Sequence, residues 1–149
     1  MSEITSMKRS NIRRQLEEVE VVIHQKLDFD TYNVTTSDTV TIADLPVQSG
    51  AYLIPTFFST NVVTADGETA TADFGLKPTT GTAFSADQDG LDAGVNLNSV
   101  AITQGAIGTD AQMGARIDIS GGATLYMTPN HNLEDAVAYV TFKYVVVHA

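Results

Sequence analysis

The last stretch of the chain alternates between apolar and polar side chains with a period of two. From Ala138 to Val146 every even-numbered residue is apolar, whereas Thr141 and Lys143 fall between them. Alternating β-branched and aromatic residues predict a strand with one face in a core and a partly wet outer face, as in an antiparallel sheet. We therefore expect residues 136–148 to form the central strand against which the other elements pair.

The same period recurs along the chain after Asp28. Residues 69–76 give the clearest case, with Ala70, Ala72, Phe74 and Leu76 on one face. Further strands are predicted at 29–35, 39–43 and 51–63, weakly at 95–103, and as a hairpin at 113–128. About eight strands with turns every ten or so residues predict an all-β fold, an antiparallel β-sandwich or jelly roll.

Turns, loops and large apolar residues refine this prediction. Proline cannot donate to a ladder, so the 51–63 strand lies at an edge, is bulged near Pro55 or starts after it. Residues 65–68 predict a hairpin turn, and 77–94 predict a long loop rich in Gly, Pro and Asp. The predicted inter-sheet core consists of Phe29, Phe57, Phe74, Leu125, Phe142 and Tyr144.

The N-terminal residues carry a different pattern. Residues 6–18 predict a short helix with Ser6 as its cap, and a stripe of apolar residues at 12, 16, 19 and 23 has helical spacing. Positions 19–29 also alternate as in a strand, and their β-branched residues favour a helix that ends near Glu18 with extended chain afterwards. We therefore divide the chain into an arm at 1–27, helical then extended, and a β-sandwich domain at 28–149.

The arm is the predicted contact with a partner. Its stripe is too short to be stable unless it packs on something. The residues expected to make this contact are Arg9, Ile12, Arg13, Leu16 and Val19.

Composition and charge narrow the possible functions. A chain of 149 residues, 43% of them hydrophobic, supports one domain with a core, alone or with an arm. Residues 28–149 hold three bases against 14 acids, so binding to nucleic acid is not expected. No apolar run approaches the roughly 18 residues that cross a bilayer, and the basic N-terminus lacks the apolar segment of a secretory signal. Without cysteine there is neither a disulfide nor a thiolate metal site.

We find no constellation of catalytic, cofactor-binding or metal-binding residues. Asp87, Asp89 and Asp92 alternate near Gly90 and suggest calcium, but the glycine and the final carboxylate stand at the wrong positions for a calcium loop. The three histidines lack partners at ligand or triad spacing, and no Gly-x-Ser-x-Gly motif is present. We therefore expect no enzyme activity and no cofactor.

The order of strands and loops resembles small virion proteins of tailed bacteriophages, of the head-decoration or cement type with a jelly-roll-like body. The resemblance covers roughly residues 28–148. It rests on the segments 32–34, 39–46 (Thr-Val-Thr-Ile-Ala-Asp-Leu-Pro), 52–55, 69–76 (Thr-Ala-Thr-Ala-Asp-Phe-Gly-Leu), 87–94, 123–128 (Ala-Thr-Leu-Tyr-Met-Thr) and 139–147.

The resemblance implies a structural role without catalysis. Such a protein would sit on the capsid surface of the virion, bind the major capsid protein or other virion proteins, and form a homo-oligomer. The alternative is a receptor- or glycan-binding module of a phage tail, or another head-neck component. Because Trp is absent, Tyr32, Tyr52 and Tyr126 would be its stacking platforms for sugars.

Overall fold

The computed structural model describes residues 20–148. This part of the chain contains nine strands joined by turns and loops. They are β1 (Glu20–Asp28), β2 (Val40–Leu45), β3 (Ala51–Thr64), β4 (Thr71–Lys77), β5 (Asp87–Asn96), β6 (Ile102–Gln104), β7 (Ile117–Asp118), β8 (Ala123–Pro129) and β9 (Val137–His148). One sheet has the order β1-β9-β3-β6, with β7 also pairing with β3, and the second has the order β2-β8-β4-β5. All these pairs are antiparallel. The predicted all-β sandwich is confirmed, with nine strands in this part of the chain.

The predicted central strand is confirmed as β9. It pairs along its length with β1 on one side and β3 on the other. Ala138, Val140 and Phe142 are fully buried, whereas the alternate residues Tyr139 and Thr141 face outward. The period-two pattern therefore indicated both the strand and the face that packs against the second sheet.

The alternation at 69–76 is confirmed as well. Ala70, Ala72, Phe74 and Leu76 are fully buried, and residues 71–77 form β4 in the second sheet. The Phe58 ring lies 5.1 Å from the Phe74 ring, which joins the two sheets across the core. Such tilted aromatic pairs add to the stabilisation that burial gives.

Of the three alternatives for Pro55, the structure has the bulge. β3 lies inside the first sheet, and its register with β9 shifts between Pro55 and Phe57. A one-residue shift sends the following side chains to the opposite faces of the sheet. Phe57 is consequently half-exposed on the outer face, and the prediction that it lies in the core is wrong; Phe58 is buried in its place.

Both predicted hairpins are wrong because the chain changes sheets at those turns. Residues 65–68 follow β3 of the first sheet and lead to β4 of the second, and residues 113–128 contain β7 and β8, which belong to different sheets. Gly122 turns between β7 and β8 with a φ of +76°, in the left-handed region that favours glycine. Turn residues indicate a reversal of the chain without indicating which sheet the next strand joins.

Three further expectations about strands are corrected. Residues 87–94, predicted as part of a loop, belong to β5, which pairs with β4. Residues 29–35 contain turns and a single bridge from Val34 to Leu133, because the Asp28 carboxylate accepts hydrogen bonds from the Thr31 amide and hydroxyl and closes a turn there. In the predicted weak strand at 95–103, residues 95–96 end β5, and β6 begins at Ile102.

The chain is extended from Glu20 onward, as expected for residues that follow Glu18. β1 pairs residue by residue with β9, from Glu20 opposite Val145 to Asp28 opposite Val137, and forms an edge of the first sheet. The predicted helix at 6–18 lies outside the described residues. So do the expected contact residues Arg9, Ile12, Arg13, Leu16 and Val19.

Candidate functional site

The outward surface of the first sheet is the candidate interaction site. Strand alternation turns one residue in two away from the core, so side chains of β1, β3, β6 and β9 share this surface. We call it the outer face. Its members are Val22, His24, Phe57, Ser59, Asn61, Val63, Ile102, Tyr139, Thr141 and Lys143.

A shallow depression of about 400 Å³ lies within the outer face. The His24 and Tyr139 rings stack along one side of it, with their centroids 5.6 Å apart and an interplanar angle of 12°. The His24 Nδ1 atom lies 2.9 Å from the Thr141 hydroxyl oxygen, which fixes the orientation of the imidazole. Val63 and Ile102 line the depression and are 43% and 65% exposed.

The centre of the outer face carries little charge. Lys143 is the one charged residue among the ten named, whereas Glu20 and Lys26 point to the same side at the two ends of β1. The Lys143 ammonium lies 5.1 Å from the centre of the Phe57 ring, within cation–π range. Val22, which is opposite Lys143 in the register, is 54% exposed. Exposed apolar side chains in a low-charge surrounding mark a surface that gains by contact with another protein.

The acidic segment with Asp87, Asp89 and Asp92, whose spacing does not match a calcium loop, lies on β5. Burial of the Asp92 carboxylate raises its pKa to about 6, and the negative charges of Asp110 and Asp73 add to the increase. The Asp92 Oδ2 atom is buried without a hydrogen-bond partner. Within residues 20–148 no three His, Asp or Glu side chains converge as a metal site.

Replacing Asp92 with asparagine is expected to stabilise the protein at pH 7.5. The raised pKa means that the folded chain binds this proton more tightly than the unfolded chain does, so the ionised carboxylate costs stability above pH 6, and the cost disappears as pH falls toward 3.8. Solvent screens the partly exposed group, so we expect a gain of about 1–2 kcal/mol at pH 7.5.

Urea unfolding of Asp92→Asn at pH 7.5 and pH 4 would measure this gain. The control is Glu68→Gln, which removes an exposed carboxylate. An equal gain at both pH values, or none at pH 7.5, would contradict the assignment.

The three tyrosines considered as sugar platforms lie in different surroundings. Tyr32 is 75% exposed. The Arg116 guanidinium covers the Tyr52 ring at 4.4 Å, and Tyr126 is buried below the Lys77 ammonium. Of these three rings, the Tyr32 ring is the one that is exposed for stacking on a sugar.

Among the described residues, neither the three histidines nor a membrane-spanning helix provides a second candidate site. His24 belongs to the outer face, whereas His131 and His148 are exposed at other places, so the structure does not bring the three together. Within residues 20–148 no helix is long and apolar enough to cross a bilayer.

Sequence reasoning looked for the contact in the arm and missed the outer face. A signal for it was present in the odd-numbered residues of β9, of which Lys143 is the one charged residue, and in Val22 and His24 at the middle of β1. Their alignment into one surface depends on the register of four strands, which the pattern within one strand does not supply.

No family model matches the sequence, and no curated protein matches it by sequence. Solved structures do match the fold. A chain in the capsid of Ralstonia phage GP4 is 12% identical with a TM-score of 0.58, and the match covers 85% of this chain and 84% of that chain. A chain in the capsid asymmetric unit of cyanophage Pam1 is 18% identical with a TM-score of 0.51, covering 86% and 85%. At these identities the likeness establishes a shared fold.

Proposed function

We propose that this chain is a non-enzymatic structural protein of a phage virion: a capsid decoration or cement protein that binds the major capsid protein and itself on the capsid surface. The observation that carries the proposal is the outer face, a broad, low-charge surface with exposed Val22, Val63 and Ile102. Such a surface suits permanent contact with a protein lattice.

The fold supports the same role. Each match to a phage capsid chain covers most of both chains, so the likeness is to a whole chain of similar length. Apart from the two-residue β7, four strands of each sheet face each other in the orders β1-β9-β3-β6 and β2-β8-β4-β5. This arrangement supports a jelly-roll body of eight principal strands, a rigid unit that needs no cofactor.

Charge supports a place on the outside of the shell. Residues 20–149 hold four bases against 15 acids, so the sandwich repels the phosphates of packaged nucleic acid. Contact with the lattice then depends on surfaces with little charge, such as the centre of the outer face. Many symmetric copies, each with a modest contact, would together give firm attachment.

Co-sedimentation with purified capsids that lack this protein tests the proposal. The wild-type chain is expected to bind, and Ile102→Asp is expected to weaken binding about 10- to 100-fold, because it places a charge where about 1.5–3 kcal/mol of apolar burial is gained. Val47→Asp is the matched control, since Val47 is 60% exposed in the loop between β2 and β3.

Circular dichroism would verify that both variants fold. Failure of the wild-type chain to co-sediment would overturn the proposal. An equal loss of binding in Val47→Asp would remove the outer face as the contact surface.

The depression favours one second function, glycan binding by a receptor-binding module. The stacked ring of Tyr139 stands beside the polar side chains of Ser59 and Asn61, a combination that can hold a sugar. This function requires glycan-array binding that Tyr139→Ala abolishes. An array without hits would remove it.

A further inference from the structure

An open seam runs along one side of the sandwich. There the sheets end in the edge strands β1 and β2, which pair only with β9 and β8 among the described residues. A groove of about 290 Å³ lies between them. We call it the seam, and residues 25–29, Tyr32, Val34 and residues 40–42 line it.

The floor of the seam is apolar. Leu27 and Phe29 are buried at its base, and Val34, Val40 and Ile42 pack against the core while remaining partly exposed. Inward-facing apolar residues that solvent still reaches gain stability when another apolar group covers them. The seam is therefore an incomplete part of the core.

The edge of β1 beside the seam is also uncovered among the described residues. β1 is nine residues long, and pairing with β9 uses one side of it. Proteins commonly protect such an edge from pairing with other chains by covering it with a helix or a loop. Within residues 20–148 no other segment pairs with that side of β1.

The rim of the seam is acidic. The Thr31 amide and hydroxyl donate to the Asp28 carboxylate and hold its pKa below the ordinary value, so it stays ionised at neutral pH. Asp30 is exposed beside it, and Lys26, the one base in the seam lining, lies 4.0 Å from the Asp28 carboxylate, so the rim holds two acids against one base. An apolar floor with an acidic rim fits an apolar segment flanked by bases.

We propose that residues 1–19 of a second copy of this chain occupy the seam; the inference rests on the proposed function for its premise of self-association. Residues 1–19 hold four bases against three acids, and all four bases lie between positions 8 and 14. On the predicted helix, Ile12 and Leu16 form one row and Arg9 and Arg13 an adjacent row. The apolar row covers the floor of the seam, and the basic row meets Asp28 and Asp30.

A second copy fits this geometry better than the chain's own arm. The arm joins β1 at Glu20, whereas the seam lies beside residues 25–29, about 17–30 Å away toward the far end of the strand. To reach its own seam the arm would have to reverse immediately, and residues 13–19 contain no Gly, Pro, Asn or Asp to make that turn. Each copy thus donates an arm to one neighbour and accepts one from another, a head-to-tail contact that can close into a ring.

Cysteine cross-linking of the full chain tests this arrangement, because the native sequence has no cysteine. Two single variants, Leu16→Cys in the arm and Thr41→Cys in the seam, are mixed and oxidised mildly. We expect a disulfide-linked heterodimer on a non-reducing gel. The control pairs Leu16→Cys with Ser99→Cys, an exposed position between β5 and β6 at the opposite side of the first sheet, and is expected to give at least tenfold less heterodimer.

Two results would overturn the inference: equal cross-linking to Ser99→Cys and Thr41→Cys, or a Leu16→Cys/Thr41→Cys double variant that links only within one chain. Capsid co-sedimentation keeps the two proposals separate. If cross-linking fails while Ile102→Asp still weakens capsid binding, the result contradicts arm exchange and supports the proposed function. Cross-linking without capsid binding would support arm exchange and contradict the proposed role on the capsid.

Discussion

Replacing Asp66 with alanine is expected to lower the free energy of unfolding by about 3–5 kcal/mol, since it leaves several amides without an acceptor. Asp66 is 4% exposed. Its Oδ2 atom accepts the amides of Glu134, Asp135 and Ala136 at 3.1–3.3 Å, and Oδ1 accepts the Glu68 amide at 3.3 Å. This carboxylate therefore joins the crossover after β3 to the turn that leads into β9.

The pKa of Asp66 gives the same prediction a pH dependence. Burial by itself would raise the pKa, but the four backbone donors outweigh burial and hold the pKa below its ordinary value of 3.8. A lowered folded-state pKa means that the stabilisation is complete above 3.8 and is lost as pH falls through the folded-state value. The wild-type protein and Asp66→Ala should therefore differ less in stability at pH 2 than at pH 7.

Urea unfolding at pH 7 and pH 2 would measure both effects. Asp30→Ala, which removes an exposed carboxylate, is the control and should change stability by less than about 0.5 kcal/mol. A loss below about 1 kcal/mol for Asp66→Ala at pH 7 would show that the four hydrogen bonds do not hold the crossover.

Replacing Gln112 with alanine is expected to cost about 2–4 kcal/mol. The register of β4 with β5 shifts between Phe74 and Leu76, so the ladder is interrupted there. The buried Gln112 side chain fills the gap: its Oε1 accepts the Leu76 amide at 2.8 Å, and its Nε2 donates to the Leu76 carbonyl at 2.9 Å. Alanine would leave both buried backbone groups unpaired.

Replacing Gln112 with glutamate tests the hydrogen bonds of this side chain separately from its packing. Gln112→Glu keeps the size of the side chain and an acceptor for the Leu76 amide, but an ionised carboxylate cannot donate to the Leu76 carbonyl. We expect it to be destabilising at pH 7 as well, whereas Gln104→Ala on β6, at an exposed position, should be nearly neutral. Thermal and urea unfolding that placed Gln112→Ala within 0.5 kcal/mol of Gln104→Ala would contradict this role.

Alternation within single strands predicted the parts of the fold that depend on one strand at a time. The buried rows of β9 and of residues 70–76 were evident because each strand turns one apolar face to the core. The assignment failed at Phe57, since the bulge after Pro55 inserts one residue and exchanges the two faces. Pro55 predicted an irregularity there, but the sequence was equally compatible with an edge strand, a bulge or a strand that starts after Pro55.

Contacts between strands explain the remaining errors. Asp87, Asp89 and Gly90 have low strand propensity, yet their segment pairs with β4, because the edge of a sheet accepts residues that would not form a strand alone. Asp66 stood within a predicted hairpin turn, and three of the four amides that donate to it lie 68 to 70 residues further along the chain. The outer face likewise exists only once four strands are in register.

The most direct test of the central claim is the copy number of this chain in purified phage particles, measured by quantitative mass spectrometry against the major capsid protein. A protein that binds the shell through its outer face should be present in a fixed, high ratio to the shell subunit, and that ratio should fall when Ile102→Asp replaces the wild-type chain. Particles that assemble fully and contain none of this chain would contradict the account.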